Sequence, residues 1–196
     1  KKTIGDLTVL EIFYYGTLGG NAVSVNSHGF ALLVNTLTSK NKQIGVPRNI
    51  IARWLSETKN PEDDFKKLKK MCRISGFNYN FVNTSGRLTN IETTAKEAVI
   101  THPRIPFVHT NHYLSALKKY DLYKKPSSPC RYDFVKKNFR PQMNIAEIKK
   151  IMNNKSFGKI KSVMNQTTRG KIIFDLKNRA AYIWLLRENK KGFVRF

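Results

Sequence analysis

The stretch Phe77-Asn78-Tyr79-Asn80-Phe81 alternates ring and amide over five residues. A period of two belongs to a β-strand, where successive side chains point to opposite faces, so the rings predict one buried face. Similar runs recur on both sides of it. Lys1 to Tyr15, with Leu7-Thr8-Val9-Leu10 and Ile12-Phe13-Tyr14-Tyr15, is apolar on both faces, as in a buried strand. Asn21–Asn26 and Phe30–Asn35 flank Ser27-His28-Gly29, a tight turn in which Gly29 can take a positive φ. Arg87–Thr93, Glu97–Thr101 and Ile105–His109 follow as strands, and Lys171–Leu176 with Ala180–Leu186 form a closing hairpin before a basic tail.

Helical signals fall between these strands. Pro47 opens one helix whose apolar face carries Ile50, Ile51, Trp54 and Leu55. Asn60-Pro61-Glu62-Asp63-Asp64 opens another with a cap, a proline and three acids, and the lysines toward its end complement the macrodipole. Arg131–Phe139 and Asn144–Met152 are also predicted helical, after a loop over Lys118–Pro129. Strands and helices arrive in separate blocks, which predicts an α+β domain with layered antiparallel sheets, a single domain over residues 1–196. The chain opens directly in core-like sequence, so further residues are expected upstream of Lys1.

Charge sets a second constraint. The 36 Lys and Arg against 13 Asp and Glu give a formal net charge of +23. Such a surplus favours polyanions such as nucleic acid, acidic lipid or an acidic substrate; a lysine-rich coding bias would also produce it. No apolar run is long enough to span a membrane, and no signal-like segment follows Lys1-Lys2, so an intracellular location is the default expectation. Cys72 and Cys130 have neither metal-ligand spacing nor a disulfide framework, and no cofactor is expected.

The densest polar stretch is His109-Thr110-Asn111-His112-Tyr113, read as the tip of the strand Ile105–Val108 that His102-Pro103 introduces. It could hold a polar ligand or a reacting carbonyl, or be a satisfied strand end. His109 and His112 could share a metal, but no third ligand is identifiable, so no metal site is expected.

Four motifs lie in one order: Gly19-Gly20-Asn21-Ala22 with Asn26-Ser27-His28-Gly29; Asn35 at a strand end; His109-Thr110-Asn111-His112; and Ser127-Ser128-Pro129-Cys130-Arg131-Tyr132. Together with Pro47-Arg48, Gly76-Phe77-Asn78-Tyr79-Asn80 and Asn90-Ile91-Glu92, the series resembles the penicillin acyltransferase family of N-terminal-nucleophile hydrolases, with a more distant likeness to bile-salt hydrolases and penicillin V acylases. The resemblance implies a four-layer αββα fold, its N-terminal part absent here, and hydrolysis or acyl transfer at the amide of a small N-acyl or β-alanyl amine. It also implies a nucleophilic cysteine, exposed by self-cleavage of a precursor, whose own α-amine is the base. By position, Asn111 matches the oxyanion asparagine, Asn35 a second active-site asparagine, and Arg131 the arginine beside the nucleophile, where a fixed cation favours thiolate. Asn21, His109, His112 and Ser128 are the corresponding substrate-binding candidates.

One departure stands out. The family's nucleophile lies upstream of every matched motif, and neither Cys72, after a lysine-rich helix, nor Cys130, without a free α-amine, can replace it. A second expectation from a different class therefore accompanies the first: a non-catalytic descendant of the fold whose charge binds RNA or another polyanion.

Overall fold

Strand pairs with chain neighbour throughout the first hundred residues. A computed structural model describes residues 1–196 except Phe13 and Lys124. It places β1 (Lys2–Ile4), β2 (Leu7–Ile12), β3 (Val23–Asn26), β4 (Phe30–Thr36), β5 (Phe77–Asn83), β6 (Leu88–Thr93) and β7 (Ala98–Thr101) in that order in one antiparallel sheet. The β3–β4 turn forms as expected: Gly29 has φ +83°, and Asn26 Oδ1 accepts from the amides of His28 and Phe30. Between β4 and β5 run α1 (Arg48–Ser56) and α2 (Pro61–Lys70). Asn60 caps α2 by accepting from the Asp63 amide, ahead of Pro61 and the three acids.

The rings of β5 meet these helices. Phe77, Tyr79 and Phe81 pack with Leu32, Ile91, Ile51, Leu55, Phe65 and Leu68 in the main core, and Phe65 meets Phe81 edge to face at 4.9 Å. Each fully buried side chain of this size contributes about 1.5–3 kcal/mol. This core and its sheet belong to one compact unit, residues 1–103 and 111–123.

The second unit comprises residues 104–110 and 124–196. It contains α3 (Ser127–Asn138), α4 (Ile145–Met152), the single turn α5 (Gly158–Lys161), and the sheet of β8 (Gly170–Asp175), β9 (Ala180–Leu185) and β10 (Val194–Arg195). Asn144 and Glu147 close a reciprocal capping box on α4, and Arg179 turns the β8–β9 hairpin at φ +49°.

Several expectations need correction. Ile105–Val108 is not a strand: it pairs with no other strand among the described residues, and Pro106 within it has no amide to donate to a ladder. His109–Tyr113 is therefore a loop, not a strand tip. The opening strand ends at Ile12, and Tyr14 and Tyr15 are exposed rather than buried. Phe13, assigned to that strand, lies outside the described residues, as does Lys124 in the expected Lys118–Pro129 loop. That loop contains a 3₁₀ turn at Ala116–Tyr120 near its start, and α3 begins at Ser127, not Arg131. The basic tail is ordered in part as β10, which pairs with β9. Among the described residues no helix is long and apolar enough to cross a membrane.

The largest correction concerns the amide face of β5. It is buried too: Asn78 and Glu92 are 0% exposed, Asn90 4% and Asn80 8%. A second small core, Leu37, Tyr113 and Leu117 packed with Val99, covers part of this face. Alternation reported two faces correctly; it carried no information about what the later segment would bring over the second one.

Candidate active site

Register brings the polar residues of three strands to one face. Asn35 pairs with Asn78, Asn78 with Glu92, and Asn80 with Asn90. The amides then bond in series: Asn90 Nδ2 donates to Asn80 Oδ1 at 2.8 Å, and Asn80 Nδ2 donates to Asn78 Oδ1 at 2.6 Å and to Asn35 Oδ1 at 3.5 Å. Asn78 Nδ2 donates to the Ile91 carbonyl at 3.2 Å. Buried amides are tolerable only when paired in this way, and the chain of donors fixes the orientation of each carboxamide.

The loop carrying Asn111 is pinned to the same unit at several points. Asn111 Nδ2 donates to the carbonyl of Thr36, the residue after Asn35, at 3.2 Å. Glu92 receives the amides of Leu114 and Ser115 on its two oxygens, at 2.7 and 2.8 Å. Asp121 accepts from the Tyr113 amide at 3.0 Å, and Tyr113 Oη donates to the Thr93 carbonyl at 2.7 Å. Burial pushes the Tyr113 phenol well above its ordinary range, which keeps it protonated as a donor. Gly76 makes room for it, since a Cβ there would lie 2.0 Å from Tyr113 Oη. Asn111 is thus held at the last residue of β4, next in the chain to Asn35.

Asn21 serves a turn in the same unit: its Nδ2 donates to the Leu18 carbonyl at 2.9 Å, and the preceding Gly20 amide donates to Glu11 at 2.7 Å. A Cβ on Gly20 would stand 2.5 Å from the Ala52 carbonyl of α1, which explains the Gly-Gly pair as a packing requirement. His112 is half-buried on the Asn111 loop.

The second unit holds the remaining candidates. Ser128 Oγ donates to Thr110 Oγ1 at 2.9 Å, and Thr110 Oγ1 donates to the Ser128 carbonyl at 3.2 Å. His109 Nδ1 lies 2.7 Å from the Thr110 carbonyl. Arg131 sits one turn into α3, with Nε donating to Ser127 Oγ at 3.4 Å. The i, i+4 spacing of Ser127 and Arg131 is what lets the serine orient the guanidinium. Cys130 is half-buried in the first turn of α3 and Cys72 is exposed beyond α2. Among the described residues no group of three or more His, Cys, Asp or Glu could hold a metal ion.

Sequence reasoning gave no role to Glu92, Asn78, Asn80 or Asn90. The available signal was parity, because Asn78 and Asn80 share a strand face, as do Asn90 and Glu92 on the next strand. Chemically, the arrangement supplies fixed neutral donors in one unit and an oriented cation in the other.

The fold occurs in known enzymes. Penicillin V acylase from Agrobacterium tumefaciens superposes with a TM-score of 0.62 at 16% identity over 88% of this chain, which spans 64% of that enzyme's length. Two variants of conjugated bile acid hydrolase from Clostridium perfringens match over 100% and 96% of the chain and 78% and 76% of their own, with TM-scores of 0.62 and 0.60 at 13% and 12% identity. At these identities the likeness is one of fold: the mixed α+β architecture of N-terminal-nucleophile hydrolases. Among curated proteins no sequence matches the chain. At the level of family the match is extensive, covering residues 5–189. The chain belongs to the acyl-coenzyme A:6-aminopenicillanic acid acyl-transferase family.

Proposed function

We propose that this protein cleaves or transfers the acyl group of a small N-acyl or β-alanyl amine, using an N-terminal cysteine contributed from upstream of Lys1 and exposed by self-cleavage. The observation that carries the proposal is the anchoring of Asn111 on the carbonyl of Thr36, the residue after Asn35, within a chain matched to the acyl-transferase family over residues 5–189. In this reading the acyl carbonyl lies against Asn111, whose carboxamide is held by the Thr36 carbonyl before reaction, so little reorganisation is needed as the oxyanion develops. Asn35 acts as a second donor, its orientation set through Asn80. Arg131, oriented by Ser127, favours the thiolate of the nucleophile. Asn21, His109, His112 and Ser128 contact the substrate. Neither cysteine of residues 1–196 takes the nucleophile's part: Cys130 has its backbone amide bonded to the Pro126 carbonyl inside a helix, and so no free α-amine to act as base.

The test is release of free amine from a β-alanyl amine by the gene product that includes the residues preceding Lys1. Asn111→Ala is expected to lower turnover by about 10²–10³-fold, with a stability loss of only about 1 kcal/mol from the lost Thr36 bond. Full turnover in that variant removes Asn111 from the mechanism, and an upstream segment without cysteine refutes the nucleophile.

A further inference from the structure

The charge of the chain is concentrated in one place. The second unit holds 20 of the Lys and Arg residues and 4 of the Asp and Glu, a net of +16 out of the total +23. Between Glu147 and Asp175 there is no acidic residue and there are seven Lys and Arg. Within this stretch Lys150, Lys155, Lys159 and Lys161 are exposed and have no carboxylate partner among the described residues.

The middle of that stretch also exposes apolar surface. Ile160 is 64% exposed and Phe157 44%, both within the run Lys155–Lys161. Ile160 stands between Lys159 and Lys161, so exposed apolar surface and unpaired positive charge occur together. Local bonds hold the run in place. Gly158 has φ +74° and donates to the Lys155 carbonyl, Lys159 accepts from the Gln166 amide, the Phe157 amide donates to Ser162 Oγ, and Phe157 packs edge to face on Phe134 at 5.6 Å.

We propose that Lys155–Lys161 docks the protein on an anionic phospholipid surface, with the lysines over the headgroups and Ile160 inserted at the acyl boundary. Lysine clusters combined with an apolar wedge bind such surfaces through charge attraction plus burial. Single-stranded RNA fits less well. The Phe157 ring is already engaged edge to face by Phe134, and the most exposed apolar residue of the run is aliphatic, with no π face for a base. The turn is also linked to the candidate site: Ser127 Oγ, which accepts from Arg131, itself donates to the Ile160 carbonyl at 3.0 Å.

The experiment is co-sedimentation of the full chain with vesicles of phosphatidylcholine alone and with about 30% phosphatidylserine. Binding is expected only to the anionic vesicles, weakening with added salt. Replacing Lys155, Lys159 and Lys161 by Gln weakens it about fivefold per lysine, or about a hundredfold together. Ile160→Ser weakens it about tenfold, and Ile160→Trp gives a blue-shifted emission with anionic vesicles. Circular dichroism melts matching the unsubstituted chain keep these readings independent of folding. Equal binding to neutral vesicles, or an unaffected triple variant, overturns the proposal. So does tighter binding to poly-uridine RNA that Ile160→Ser leaves unchanged. None of these outcomes depends on catalytic activity.

Discussion

Replacing Glu92 by Gln tests the scaffold under Asn111 with little change of volume. In the native protein the carboxylate is fully buried and receives two backbone amides, from Leu114 at 2.7 Å and Ser115 at 2.8 Å. Bonds to a charged acceptor contribute about 1.5–3 kcal/mol each. Glutamine keeps one oxygen, so one bond survives at about 1 kcal/mol. Its NH₂ group faces the other amide, donor against donor, and that buried N–H costs about 1–3 kcal/mol. Release from carboxylate desolvation offsets part of the loss. The net expectation is a destabilisation of about 3 kcal/mol. Urea unfolding should show it as a midpoint lowered by about 1.5 M at unchanged slope. Tyr113→Phe, which removes the Thr93 contact of the same loop, should couple to it by about 1 kcal/mol in a double-mutant cycle. A Glu92→Gln loss below about 0.5 kcal/mol, or strict additivity, would refute the idea that this carboxylate clamps the loop.

Other positions give separate tests. Arg73 is 1% exposed and donates to the carbonyls of Thr94, Leu68 and Met71; Arg73→Met orphans these acceptors at the end of α2 and should cost about 3 kcal/mol by chemical denaturation. Gly76→Ala drives a methyl into Tyr113 Oη and should destabilise by about 2–3 kcal/mol, with Tyr113→Phe restoring part of the loss; full tolerance would contradict the packing. Lys171 is buried over the Trp184 ring at 4.0 Å, and desolvation, with Lys155 as a second cause, lowers its pKa below the ordinary lysine value. Between the lowered folded value and 10.5 the unfolded chain binds more protons, so stability should rise with pH through that window. Thermal melts across it should lose that slope in Lys171→Met, and a slope of opposite sign would mean the ring outweighs burial.

Much of the architecture follows from local rules acting on this sequence. Alternation in Phe77–Phe81, the Asn60-Pro61 helix start and the Gly29 turn each depend on chemistry within a few residues, and each formed as the sequence predicts. The order of motifs was likewise legible, and with it the family. Pro106 removes a ladder donor inside Ile105–Val108, a local signal against a central strand there. Burial of the second sheet face was different in kind. Asn78, Asn80 and Glu92 are polar, and polarity alone reads as exposure. Only the return of Tyr113 and Leu117, some thirty residues later, covers part of that face and turns Glu92 into an anchor for the Asn111 loop. Side-chain period is a property of one strand; what lies over a face is decided by chain remote from it.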